Sequence, residues 1–330
     1  MKYLLIANKG TLEIEALTLL GASTKRQDLS KIGKFGSGNK YALSYFMRNN
    51  CSIRIFSGNE EILISLSHKR FRDQEFDVIN INGNDTSITT EFGYDWTTWQ
   101  AVRELYSNAV DEGLLHFGIV DYDGDFHTDD DNTTRIYVEA TPEIQDFMFN
   151  IKDYIAIDNE VLFECEYGKI YRKHSKEACV YYRGIKCYET TQDSIFNYDL
   201  FDVTIGENRL IRYTWDLPQN MWKIIFSCDN VVIVRMILSS IQKSSFIENL
   251  IDGSFVTVPD IKYPLVWSEA LSGNTIVPRD LGGYVTDEDR PKTLFLPSAL
   301  YNALIDFLGN TFKNKSFMET ATGHYYKRVK

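Results

Sequence analysis

Cysteine is sparse in this chain: five in 330 residues (Cys51, Cys165, Cys179, Cys187 and Cys228), odd in number, widely spaced and without a C-x-x-C pair. That pattern supplies neither a disulfide framework nor zinc-ligand spacing, and reduced thiols in a cytoplasmic protein are the expectation. Long apolar runs are also missing. The most apolar stretch, Val231 to Leu238, is broken by Arg235 and falls far short of the ~20 residues a membrane helix needs, so no membrane association is expected. The opening residues MKYLLIANKG lack a small-residue cleavage site and read as a first strand, not as a leader peptide. Basic residues are outnumbered, 35 Lys and Arg against 46 Asp and Glu, for a formal charge of -11. This acidity argues against nucleic acid as a default ligand and leaves room only for a local basic pocket. Internal repeats and low-complexity linkers are absent. The five histidines (His68, His116, His127, His174 and His324) are scattered without metal-ligand spacing.

What remains is a folded chain of average composition, 44% hydrophobic and 25% charged, long enough for two domains. The boundary is placed near residue 150, giving domains at 1–150 and 151–330. Lys2 to Ala7 reads as a strand, Asn8-Lys9-Gly10 as a turn, and Leu12, Ala16, Leu19 and Leu20 recur at helical spacing after Thr11. A basic, glycine-rich stretch at 21–40 then leads into a helix over Tyr41 to Arg48. Cys51–Phe56 and Ile62–Leu66 read as a hairpin across Ser57-Gly58-Asn59, and Phe76–Ile81 and Ser87–Phe92 as further strands. A helix is expected over about 96–112, with Asp95 as N-cap and Gly113 just past its end, before an acidic stretch from Asp121 to Asp131 and a strand at Thr134–Glu139. Past 150, short β-rich runs at 161–163, 169–171, 179–182 and 202–205 are followed by helices near 231–249 and 297–308. The expected class is α+β: a two-layer sandwich with a mainly antiparallel sheet, followed by a second, mixed α/β domain.

Two segments carry the candidate chemistry. On the helix near 96–112, Asn108 lies about 40° from Glu104 and Asp111 about 20° to the other side, so the three polar groups share one narrow face. Trp99, Val102, Tyr106 and Ala109 lie roughly opposite. One reading is an amphipathic helix with a solvated polar face. The other requires a second site, which Gly33-Lys34-Phe35-Gly36-Ser37-Gly38-Asn39-Lys40 offers, a loop running into a helix. Glycines let backbone approach a ligand closely, and the N–H groups of a helix start favour an anion, with Lys25, Lys31, Lys34 or Lys40 as counter-charges. Phosphate is the natural ligand, although the spacing is not that of a P-loop and an ordinary flexible loop stands as the alternative.

Together these segments resemble the ATP site of the GHKL superfamily, which includes the gyrase ATPase subunit, MutL-type repair proteins, ATP-dependent chaperones and histidine kinases. Glu104-Leu105-Tyr106-Ser107-Asn108-Ala109-Val110-Asp111 resembles that family's N-box, E-L-x-x-N-A-x-D. Ile32-Gly33-Lys34-Phe35-Gly36-Ser37-Gly38 resembles its glycine motif, I-G-x-F-G-x-G. Asn8-Lys9-Gly10 resembles its D-x-G, with Asn8 in place of the aspartate that accepts a hydrogen bond from the adenine amino group. Ala22-Ser23-Thr24-Lys25 resembles the lid entrance, and Thr134 the threonine near adenine. The family runs N-box first, whereas here it comes last, so the resemblance implies a circularly permuted Bergerat-type fold over about residues 1–140. Its implied ligands are ATP and Mg2+. Asn108 would hold the metal and Glu104 would orient and deprotonate the attacking water. Asp111 would support the site, Gly33, Gly36, Ser37 and Gly38 would close over phosphate, and Asn8, Gly10, Lys25, Lys40 and Thr134 would complete the nucleotide pocket. The expected activity is ATP hydrolysis, with lid closure at 23–40 governing contact with a second copy or another protein partner. Two alternatives stay open: a catalytically weak nucleotide-binding interaction module that inhibits or regulates a protein partner, and a phosphotransferase.

Other motifs are weaker. Asp121, Asp123 and Asp125 imitate the start of an EF-hand, but Phe126 stands where glycine is required and Asn132 where a glutamate is needed, so an acidic turn is the better reading. Lys292 is a candidate for the lysine that a second GHKL domain directs to phosphate, with a surface lysine as the alternative. No phosphoacceptor helix of a histidine kinase is visible.

Overall fold

The computed structural model describes residues 1–19, 31–32, 36–122, 126–175, 177–252, 260–285 and 287–312. Two compact units divide the chain, Met1–Ile151 and Lys152–Lys330. The class is α+β, with mostly antiparallel sheets.

The first unit holds β1 (Lys2–Lys9), α1 (Glu15–Thr18), α2 (Gly38–Arg48), β2 (Ile53–Ser57), β3 (Glu60–Ile62), β4 (Ile64–Phe71), β5 (Gln74–Ile81), β6 (Asn84–Thr89), α3 (Thr98–Asp111), β7 (Leu114–Asp121), β8 (Thr133–Glu139) and α4 (Pro142–Phe149). Five strands pair antiparallel in the order β3-β2-β8-β1-β7. Period-2 alternation sends Leu4, Ile6, Ile55, Ile136 and Val138 to one face, where all are buried. Helix α3 packs on β1, with α2 beside it. The opposite face carries Tyr3, Phe56 and Tyr137, which pack with Phe126. The Arg54 guanidinium lies 4.0 Å over the Phe126 ring and holds Glu61 by two hydrogen bonds of 2.6 Å.

Several boundaries differ from the sequence expectation for identifiable reasons. The expected strand Ile62–Leu66 is split: β3 ends in the five-stranded sheet, and β4 begins a separate antiparallel sheet with β5 and β6. Leu63 makes the switch, its N–H donating to Asn82 Oδ1 (2.8 Å) and its carbonyl accepting from the Asn82 N–H (2.9 Å). Helix α3 is capped by Thr97, not Asp95, because Gln100 reaches back to the Thr97 N–H at 2.7 Å in a capping box. Gly113 follows the helix at φ 90°, as its position past the end requires. The helix anticipated after Thr11 is reduced among the described residues to the single turn α1, and Leu20 lies outside them. Strand β7 was not anticipated: it lies at the sheet edge, half-exposed on both faces, and shows no clean alternation.

In the second unit, β9 (Val161–Cys165), β10 (Gly168–Arg172), β11 (Val180–Tyr182), β12 (Ile185–Tyr188) and β13 (Phe196–Leu200) form a sheet of order β12-β11-β13-β10-β9, antiparallel apart from the β11–β13 pair. Helix α5 (Asp216–Phe226), which has no counterpart among the expected helices, buries Leu217, Met221, Trp222, Ile224, Ile225 and Phe226 in the core of this unit. Its Pro218 sits in the first turn, where the missing N–H is harmless. Trp222, Phe226 and Trp267 pack ring to ring at centroid distances of 5.0 and 5.2 Å. Residues 202–205, expected as strand, join no sheet: Ile205 makes an isolated antiparallel bridge with Ile211, and the Thr204 N–H donates to Asp216 Oδ2 at 2.9 Å. Helices α6 (Val231–Ser240), α7 (Pro264–Ala270) and α8 (Ser298–Phe312) and the parallel pair β14 (Thr275–Pro278) and β15 (Thr293–Leu296) complete the described part. None of the described helices is long and apolar enough to cross a membrane.

Asp199, on β13, is 3% exposed. Its Oδ1 accepts from the Gly184 N–H (2.9 Å) and its Oδ2 from the Tyr171 hydroxyl (3.2 Å), yet burial lifts its pKa to about 6. The native carboxyl thus holds its proton more tightly than the unfolded one. Its stabilising contribution is complete below about pH 4 and is lost as pH rises through about 6, on the order of 3 kcal/mol in all. Asp199→Asn is expected to flatten this part of the stability profile, so that its urea midpoint falls less than the parent's between pH 4 and pH 7.

Candidate nucleotide site

The polar face of α3 is not solvated. Glu104 is 2% exposed and Asp111 8% exposed, while Asn108 is half-buried. Three consecutive turns of the helix meet the glycine-rich segment. In the first, Glu104 Oε1 accepts from Arg103 Nε at 3.0 Å and lies 2.9 Å from its Nη2. Arg103 is itself buried, its guanidinium stacked 4.7 Å over the Trp99 ring. The other carboxylate oxygen faces Gly38, the first residue of α2. A Cβ at Gly38 would stand 2.9 Å from Glu104 Cδ, so only glycine permits this approach. One turn on, Asn108 Nδ2 donates to Asn39 Oδ1 at 2.6 Å. In the last turn, Asp111 Oδ1 accepts from the Ile32 N–H at 2.8 Å, and the Asp111 carbonyl accepts from Lys31 Nζ.

Electrostatics explains why the carboxylate tolerates burial. A helix N-terminus carries partial positive charge, and Glu104 brings an anion to the start of α2 while Arg103 compensates it from the other side. The same helix start is where the sequence placed phosphate. Ser37 is the N-cap residue of α2 and is buried, its carbonyl accepting from the Lys40 and Tyr41 N–H groups at 3.0 and 3.2 Å. Lys40, expected as a charge partner for phosphate, is turned elsewhere. It is 2% exposed, and its Nζ donates to the carbonyls of Ala16 and Gly36, both at 2.7 Å. Burial lowers its pKa, and its role here is to tie α1 to the glycine turn, where Gly36 adopts φ 70°.

The end of β1 supplies the remaining positions. Asn8 and Thr134 are cross-strand partners, and Ser57 of β2 pairs with Thr134, so the three share one rung on the helix-facing side. Asn8 and Thr134 are 8% and 3% exposed. Thr134 Oγ1 donates to the Gly10 carbonyl at 2.7 Å, and Asn8 Nδ2 to the Lys9 carbonyl at 2.7 Å. Gly10 turns at φ 81°, its N–H donating to the Asn132 carbonyl at 2.8 Å. The Lys9 N–H reaches the Gly113 carbonyl at 3.1 Å, which fastens the C-terminal end of α3 beside this rung. Asn8, Gly10, Thr134, Asn108 and Asp111 thereby gather at one end of the unit.

Lys25 and Gly33 lie outside the described residues, as do Asp123 and Asp125 of the acidic turn. Phe126 of that turn is buried in the aromatic cluster. Lys292 lies exposed on a short 3-10 turn, Arg290–Lys292. Two participants escaped the sequence reading, Arg103 and Asn39. Neither carries a spacing signal, since each is identified only by what the fold places against it. Comparison of the chain with protein-family models, curated proteins and solved structures finds no match.

The Gly38–Glu104 contact makes a sign-reversal test. Gly38→Ala is expected to destabilise the protein by about 1–3 kcal/mol through overpacking. In a Glu104→Ala background the same change meets no carboxylate and is expected to be neutral or stabilising by up to about 1 kcal/mol through helix propensity. Thermal unfolding of the four proteins measures both effects.

Proposed function

We propose that Met1–Ile151 is an ATP-binding domain of GHKL type in circularly permuted order, and that the chain is a Mg2+-dependent ATP hydrolase. The observation that carries this reading is the turn-by-turn meeting of Glu104, Asn108 and Asp111 with Gly38, Asn39 and residues 31–32, beside the Asn8–Thr134 rung. An N-box helix facing a glycine loop, with a polar pair at the end of a neighbouring strand, is the arrangement the resemblance implies.

The donor set fits the proposed ligands. A carboxamide and a nearby carboxylate suit Mg2+, which is held by few protein groups and completes its shell with phosphate and water. In this reading Asn108 Oδ1 would face the metal, and the Asn8 and Thr134 side chains would meet the base. When bound, Mg-ATP would supply the phosphoryl group and the neutralising charge. Glu104 would hold a water by Oε2 and take its proton, while Arg103 fixes the carboxylate through Oε1. Glycines at 36 and 38 would let the 23–40 segment close, and closure would govern engagement of a second copy or another protein partner.

A second reading is favoured by one feature: Glu104 is already engaged on both oxygens, by Arg103 and against the start of α2. A carboxylate so held binds and orients better than it accepts a proton, which suits a nucleotide-gated interaction module with little turnover. A phosphotransferase would use the same site with a different acceptor.

Steady-state phosphate release from Mg-ATP, with a parallel thermal-shift titration, separates these readings. Glu104→Gln keeps the side chain's shape and is expected to lower turnover at least about 100-fold with the nucleotide-induced shift retained. Asn108→Ala is expected to lose the Mg2+-dependent part of the shift. Unchanged turnover in Glu104→Gln would overturn the hydrolytic mechanism. A shift without turnover in the parent would establish the gated module, and no shift at all would sink both.

A further inference from the structure

Three side chains with no ligand spacing in the sequence converge in the second unit. Asp153 lies on the 3-10 turn Ile151–Asp153, His174 follows β10, and Cys179 immediately precedes β11. Their ligand atoms all lie within 4.8 Å of one another. We propose that Asp153, His174 and Cys179 form a Zn2+ site, independent of the nucleotide site in the first unit.

Distance and donor type support the assignment. His174 Nε2 stands 3.3 Å from Asp153 Oδ1. Two ligands bound at about 2.05 Å in a tetrahedron are themselves about 3.3 Å apart, so this pair already spans a zinc coordination edge. A set of one thiolate, one imidazole and one carboxylate suits Zn2+ and is poorly matched to Mg2+ or Ca2+, which take oxygen. Cys179 is buried, while the His174 and Asp153 side chains are partly accessible, at 24% and 45%, giving a covered thiol floor and an approach from solvent. Three protein ligands leave a fourth position for water or an added ligand.

The surroundings hold the ligands in place. The hydroxyl of buried Tyr181 donates to the Lys152 carbonyl and fixes the turn that carries Asp153. Asn197 links the other two: its Oδ1 accepts from the Cys179 N–H at 3.2 Å and its Nδ2 lies 2.9 Å from His174 Nδ1. In that arrangement Nδ1 accepts, and the imidazole proton sits on Nε2 toward Asp153. Metal binding at Nε2 moves this proton to Nδ1, and the Asn197 amide then turns its Oδ1 from the Cys179 N–H to the imidazole, so metal binding exchanges one Asn197 hydrogen bond for the other. The Cys179 thiol gives up its proton to solvent, so one proton is released for each Zn2+ bound.

Cobalt(II) titration of the full chain tests the site, because thiolate coordination produces a charge-transfer band and a four-coordinate site produces intense visible bands. The expected result is one Co2+ bound per chain with both features, displaced by Zn2+. Cys179→Ser should abolish the charge-transfer band, and His174→Ala, shown by thermal unfolding to be folded, should weaken affinity at least about tenfold. Cys51→Ser should change neither. No binding, or a charge-transfer band that survives Cys179→Ser, would overturn the proposal.

Discussion

Burial of the Glu104 carboxylate is the constraint on which the first unit's candidate site depends. A charge taken out of water must be compensated, and here the compensation comes from two sources, the Arg103 guanidinium and the positive end of α2. Each imposes a further requirement. Arg103 must itself be sheltered, which the Trp99 ring does, and α2 must begin with a residue small enough to touch the carboxylate, which Gly38 is. The glycine is there for close approach and not for backbone freedom.

From that anchor the remaining contacts follow in register. With Glu104 set against Gly38, Asn108 one turn later reaches Asn39 and Asp111 reaches the backbone at Ile32. Lys40 then closes the segment from behind by holding the carbonyls of Gly36 and Ala16. A lysine expected to face a phosphate serves instead as an internal strut, because a buried ammonium surrounded by carbonyls is satisfied where it stands. The nucleotide reading therefore rests on Asn108, Glu104 and the Asn8–Thr134 rung more than on any basic side chain.

Much of the local structure was readable in the chain. The short apolar run in Lys2–Ala7 and the β-rich run in Thr134–Glu139 marked two central strands, and the three polar residues at 104, 108 and 111 marked one helix face, because these signals are local to the chain. Edge strand β7 was not readable, since an edge strand loses its alternation. The split at Leu63 was not readable either. It depends on hydrogen bonds to Asn82, nineteen positions away.

Sequence by itself determined the class of fold, the acidic charge and the presence of a helix with three polar groups in line. Whether that line faced water or protein was decided only in the tertiary structure, because burial depends on what is packed opposite and not on spacing. The same holds for Asp153, His174 and Cys179. Nothing in their spacing joins them, and they meet because β10, β11 and β13 share one sheet and Tyr181 fixes the Asp153 turn in place.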